Sequence, residues 1–302
     1  MAPGQLMPLA STVKILIAIE FAKQASHHLI NEDTRVPLID PAKYYIPFTN
    51  GNAHPKWVLY KKKAGHIVND SIRLIDIGRG MILFSSNANA EYLMDLLGLS
   101  DINSNLHLLH LSPHTPLYYF SSALFFYQNP KKVGEDRIAE AIRSMSPADY
   151  MRAANLIHLE LKNDSNYKKK FRLSNLSMRM QKLWSDRLPA STTLEYTKLC
   201  SILNERKYFD KDTYRILSEE LEAVMENPAN QSWLDHAGMK GGSTAFGLTK
   251  ALYATLKDGT RFAMTYFFDG LTLPENLKLQ GWMNDFELKV LTSQDFRNQL
   301  HL

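Results

Sequence analysis

Cysteine is almost missing from these 302 residues: Cys200 stands alone. One thiol excludes an internal disulfide and any thiolate metal cage. Its setting, "YTKLCSIL", has helical periodicity and predicts a buried structural thiol. No apolar run approaches the roughly 20 residues that a membrane span needs. The opening "MAPGQLMPLA" has neither the charged region nor the apolar region of a signal peptide. It leaves open a cytoplasmic chain or one whose leader has been removed. Strong charge is lacking too, since 35 basic residues face 31 acidic ones for a net +4. The two basic runs, Lys61-Lys62-Lys63 and Lys168-Lys169-Lys170-Phe171-Arg172, lack a series of interleaved stacking aromatics, Phe171 being the one aromatic inside either. They read as solvated surface and not as a nucleic-acid face. No repeat or low-complexity tract interrupts the chain.

What is present is an ordinary globular composition, 45% hydrophobic and 22% charged, long enough for one complex domain or two intimate ones. Helical patterns dominate the first three quarters. An opening helix in "STVKILIAIEFAKQ" is followed by residues 36–60, which lack periodicity and predict a loop. "SIRLIDIGRGMILFSS" and "NAEYLMDLLGL" predict two helices broken at Ser85-Ser86-Asn87. Further helices are predicted in "EDRIAEAIRSM", "SPADYMRAANLIHLELK" (capped by Ser146), "STTLEYTKLCSILNERKYF" and "YRILSEELEAVMEN". Beyond residue 236 the pattern turns to strands, with a hairpin signal at Lys257-Asp258-Gly259, and a helix closes the chain. The domains expected are 1–230, mainly helical, and 231–302, a sheet with a C-terminal helix.

Within that frame Ser11 and Lys14 lie one helical turn apart at the front of a helix apolar on several sides. A serine hydroxyl needs a base to become a nucleophile, and a lysine serves only when desolvation or a nearby cation keeps it neutral. Ser165 and Lys168 repeat the spacing inside polar "NDSNYKKKF" and read as coincidence. Two more elements accompany Ser11. Ser85 and Asn87 form the one Ser-x-Asn, able to relay a proton and hold an amide. "HAGMKGGSTAFG" supplies Lys240 as a fixed cation, with Gly241 and Gly242 allowing close backbone approach and Ser243 offering an N–H.

The order Ser-x-x-Lys, Ser-x-Asn, Lys-x-Gly resembles the penicillin-recognising serine hydrolases, the class A β-lactamases with their D,D-peptidase and esterase relatives. The likeness covers most of residues 6–302, with 30–65 and 105–185 fitting poorly. It implies an α/β fold of the β-lactamase/transpeptidase type, with a helical body, an antiparallel sheet and a C-terminal helix. It implies Ser11 as acylated nucleophile, Lys14 as its base and Ser85 as proton relay. Asn87 would bind a substrate amide, Lys240 a carboxylate, and the N–H groups of Ser11 and Ser243 an oxyanion. Gly242 would lie against the substrate, while Thr244 and Lys250 would add carboxylate contacts by spacing. The substrates implied are β-lactams, D-Ala-D-Ala-like peptides or esters, with no cofactor and no metal.

Two departures stand out. The segment "RLSNLSMRMQKLWSDRLPASTT" lacks the glutamate with which class A enzymes deacylate, and its one carboxylate is Asp186. Any replacement would come from Glu135, Glu140, Glu160 or Asp164. Only ten residues precede Ser11, so the sheet is expected to lack strands and show an open edge. A member that has kept the fold and lost turnover, acting as a binding or scaffold protein, is the alternative. His107, His110 and His114 have ligand-like spacing, but Pro113 interrupts the helix and no carboxylate accompanies them. The run at 116–128, "PLYYFSSALFFYQ", reads as core or cleft lining. A small-molecule or peptide substrate, no nucleic acid, no membrane segment and a monomer or weak oligomer complete the expectations. The resemblance points to a periplasmic or secreted location, with no leader to show it.

Overall fold

The computed structural model describes residues 2–128 and 133–300. Its centre is helix α1 (Lys14–Ser26), entered through a 3-10 turn at Ala10–Val13. Every residue from Lys14 to Ala22 is buried, as befits a helix that is apolar on nearly all faces. Around it the chain lays α2 (Ile39–Ala42), α3 (Ala53–Lys63), α4 (Leu74–Leu83), α5 (Asn87–Leu97) and α6 (Leu99–Leu108). Gly98, at φ +85°, makes the turn that separates α5 from α6.

Next come α7 (Glu135–Ser144), α8 (Pro147–Asn163), α9 (Met178–Asp186), α10 (Thr193–Glu205), α11 (Lys211–Leu221) and α12 (Pro228–Gln231). The predicted Ser146 cap is in place, accepting the Asp149 N–H at 3.1 Å, and Thr192 caps α10 in the same way, accepting the Glu195 N–H at 3.1 Å. The last two helices are α13 (Leu273–Thr292) and α14 (Gln294–Gln299). Among the described residues, no helix is long and apolar enough to cross a membrane.

Among the described residues, seven strands form three antiparallel sheets. Strand β1 (Met7–Pro8) pairs with β4 (Ala190–Ser191), and β2 (Arg35–Pro37) pairs with β3 (Ser71–Arg73). The main sheet runs β5 (Leu234–Ser243), β6 (Leu248–Leu256), β7 (Arg261–Phe268), and β7 has β6 as its one strand partner. Gly259, at φ +87°, closes the β6–β7 hairpin where Lys257-Asp258-Gly259 predicts it. Helices α10 and α11 pack on this sheet, and the 3-10 turn before α1 abuts β5 and β6.

Three expectations need correction. Residues 36–60 are not loop throughout, since α3 begins at Ala53. Pro55 sits in its first turn, where proline is tolerated. Its buried face is carried by Trp57 and Lys61 and does not read as an apolar stripe. Nor is Lys61 solvated surface: it is 4% exposed and pairs with buried Asp76 at 2.6 Å. The helix expected through "LEAVMEN" stops at Leu221, where a 3-10 turn over Ala223–Glu226 takes over.

Candidate active site

The first turn of α1 meets the inner edge of β5, and the start of α5 closes the third side. Lys14 is wholly buried there. Its ammonium nitrogen lies 3.1 Å from Ser11 Oγ, 2.8 Å from the Ser85 carbonyl oxygen and 2.7 Å from Asn87 Oδ1. Burial, then the charge of Lys240, holds the Lys14 amine well below the usual lysine value, while Glu91 pulls the other way. The three contacts suit both protonation states. An ammonium donates to all three. A neutral amine donates to the two carbonyl oxygens, which cannot donate in return, and turns its lone pair to the Ser11 hydroxyl.

Ser85 lies in the link between α4 and α5 at φ +56°, and Ala10, just before Ser11, sits at φ +46°. Left-handed backbone is costly for residues with a Cβ, so both hydroxyls sit on strained joints. Lys240, on β5, is 3% exposed, hydrogen-bonds the Ser85 hydroxyl and donates to the Gly241 carbonyl at 2.6 Å. Burial, then neighbouring Lys250, lowers its pKa to about 7. Asn87 is fixed from behind, its N–H donating to Asn50 Oδ1 at 3.0 Å.

Gly242 has to be glycine. A Cβ there would stand 2.5 Å from the Ser11 backbone nitrogen and 2.8 Å from the Leu9 carbonyl oxygen. The Ser11 amide and β5 are thereby pressed together. Thr249 stitches the same junction, with its hydroxyl 2.8 Å from both the Leu9 carbonyl and the Thr12 hydroxyl.

Ser11 opens into a cleft with two lobes. One, of about 250 Å³, is walled by Phe48, Phe120, Leu124, Leu173, Trp184 and Leu188, with Ser243 at its rim. The other, of about 280 Å³, is polar and includes Ser85, Gly242, Lys250, Gln280 and Asn284. The Phe120 ring centroid lies 5.9 Å from Lys14 Nζ. Among the described residues, no aspartate or glutamate lines either lobe.

Of the residues picked from sequence, Ser11, Lys14, Ser85, Asn87, Lys240, Gly242 and Ser243 meet here. Lys250 reaches the polar lobe, 3.3 Å from Glu287. Thr244 lines the apolar lobe beside Ser243, and its hydroxyl accepts the N–H groups of Phe246 and Gly247 and shares a 2.8 Å bond with Ser185 in the β5–β6 turn. Asp186 pairs with Lys182, and Glu135, Glu140, Glu160 and Asp164 are absent from the cleft lining. His114 bonds Tyr196 and the Thr115 carbonyl, and the described residues hold no metal-ligating cluster. Asn50, Gln181 and Trp184 were missed, whereas Phe120 and Leu124 come from the run at 116–128, for which cleft lining was one of two readings.

The Beta-lactamase enzyme family has a model that matches residues 1–200. No curated protein matches the chain. Among solved structures, a beta-lactamase from Sphaerobacter thermophilus aligns with a TM-score of 0.55 at 14% identity, over 95% of this chain and 84% of that one. A beta-lactamase from Chitinophaga pinensis gives 0.52 at 16% identity, over 90% and 80%. An acyl-enzyme complex of PBP-A with penicillin G gives 0.51 at 13% identity, over 90% and 76%. At such identities the likeness speaks for the fold: a helical body with small antiparallel sheets, of the β-lactamase/transpeptidase type.

Proposed function

This chain belongs to the Beta-lactamase enzyme family, and on that premise we propose that it is a serine hydrolase acting through an ester on Ser11. The observation that carries the reading is a buried lysine amine 3.1 Å from a serine hydroxyl at the floor of a cleft. Neutral Lys14 takes the Ser11 proton as Oγ bonds to the substrate carbonyl carbon. The N–H groups of Ser11 and Ser243 stabilise the oxyanion. As the bond to the leaving group breaks, that group receives a proton from the Ser85 hydroxyl, which Lys14 replenishes. Lys240 and Lys250 attract a carboxylate into the polar lobe, and the apolar lobe takes the acyl side chain. This fits a β-lactam, a D-Ala-D-Ala-like peptide or an ester with an apolar acyl group.

A cleft without a carboxylate lacks the strongest activator of a deacylating water. A long-lived acyl-enzyme follows, as in a penicillin-binding peptidase or a slow esterase. The test is intact mass after incubation with a fluorescent penicillin, with the Ser11→Ala variant alongside. A stable adduct on the unaltered protein alone is expected. An adduct that clears while drug is consumed overturns the persistence. No adduct in either protein, together with no Ser11-dependent hydrolysis of phenyl esters, overturns the catalytic reading in favour of a binding or scaffold role.

A further inference from the structure

Behind Lys14, away from the cleft, lies a buried polar cluster that no step above uses. It starts on α5, where Glu91 sits one turn beyond Asn87 on the same face and Asp95 one turn further. The Glu91 carboxylate is inaccessible. It accepts the N–H of Ser121 at 2.8 Å, the N–H of Ser122 at 3.2 Å and the Ser122 hydroxyl at 2.8 Å. Facing it at 2.9 Å is Nδ1 of His158, from α8.

His158 is itself inaccessible. Its ring is sandwiched between Tyr119, at 3.5 Å between centroids, and Tyr44, at 4.5 Å. Nε2 stands 3.4 Å from Asp95 Oδ1, an ion-pair distance with no hydrogen bond aligned on it. Asp95 also takes Lys162 at 2.8 Å and the Tyr44 hydroxyl at 3.3 Å. Each ring nitrogen therefore faces a carboxylate oxygen, an arrangement that favours the doubly protonated ring. Burial opposes that charge, but Asp95 and Glu91 outweigh it and lift the His158 pKa above its ordinary value.

The cluster touches the catalytic centre twice. Phe120 immediately precedes the two amides that Glu91 holds, and its ring walls Lys14. Its carbonyl is also tied, receiving the Trp184 indole N–H at 2.9 Å. The Glu91 charge further acts on Lys14 across the core, favouring the ammonium. The groups around Lys14 are then Ser11 on its own turn, Ser85, Asn87 and Glu91 from α5 and its approach, Lys240 from β5, and Phe120.

We propose that Glu91, His158 and Asp95 form a buried carboxylate–imidazolium–carboxylate clamp that fixes the Phe120 wall and, by neutralising Glu91, keeps Lys14 available as a base. None of the three touches substrate, so they are positioning residues. The inference rests on the Ser11–Lys14 reading and deepens it.

Two variants separate charge from shape. His158→Gln keeps a donor toward Glu91 but removes the cation, so Glu91 is left uncompensated and Lys14 holds its proton more tightly. The rising limb of the pH profile for Ser11 acylation by the fluorescent penicillin moves up by about one pH unit. On that limb the rate falls about tenfold. Glu91→Gln still presents an oxygen to the Ser121 and Ser122 amides but lacks the charge, so the limb moves down. Opposite shifts are the expected result. Equal losses at every pH with the limb unmoved would mean a merely structural role and overturn the clamp.

A second measurement needs neither activity nor a variant. Imidazole nitrogen shifts of the unaltered protein at neutral pH are expected to show His158 protonated on both nitrogens, and a neutral ring there overturns the proposal. If the unaltered protein forms no Ser11 adduct and shows no Ser11-dependent hydrolysis of phenyl esters, the catalytic reading fails and takes the Lys14 half of the clamp with it. The imidazole signal still decides the other half.

Discussion

Lys240 carries a conflict that can be measured. It is buried, with Ser85 and the Gly241 carbonyl as its hydrogen-bond partners, and burial with the nearby charge of Lys250 brings its pKa to about 7. Below that pH the ammonium attracts a carboxylate; above it the anchor is lost. A bound carboxylate raises the pKa again, so the effect belongs to the free protein and appears in kcat/KM, with kcat little changed. The expectation is that kcat/KM for a penicillin falls as pH rises through about 7, while a neutral phenyl ester shows no such fall. Parallel profiles for the two probes would remove Lys240 from carboxylate recognition. The sequence made Ser11, Lys14 and Lys240 legible because each has few physical excuses for its place. It did not make Phe120 legible, since an aromatic run looks the same whether it fills a core or walls a cleft. Tyr118 and Tyr127 do the first, while Phe120, as buried as Tyr118, also does the second.

Among the elements, α9 has the clearest assignment. Its Trp184 donates to the Phe120 carbonyl and forms the apolar lobe with Leu188, just past the helix, and Leu173, just before it. Trp184→Ala is expected to open that lobe and abolish a preference for long acyl chains. The measurement is the ratio of Ser11-dependent rates on p-nitrophenyl butyrate and acetate. It should fall several-fold toward one, and an unchanged ratio would place acyl selection elsewhere. The elements best read in advance were those with caps and strong periodicity, such as α8 with Ser146 and α10 with Thr192. Those missed were short or amphipathic through unusual residues. Strands β1 to β4 span two or three residues each, too few for an alternation to register. The polar face of α3 hides Lys61, whose burial depends on Asp76 from α4, a partner visible only in three dimensions.

For the whole molecule, helical body followed by strands and a closing helix was legible from the order of patterns alone. The relation between the ends was not. Ser11 and Lys14 stand at the beginning of the chain, and the backbone that presses on the Ser11 amide stands at Gly242. Thr12 and Thr249, which pin the two together, are 237 residues apart. Closing so distant a contact costs chain entropy that local helices do not incur. Refolding from denaturant is therefore expected to restore helical circular dichroism before it restores adduct formation with penicillin, and simultaneous recovery would contradict this ordering. The same separation has a meaning for synthesis. During synthesis Ser11 and Lys14 emerge more than 200 residues before β5, so the proposed cleft has no third wall until that strand follows.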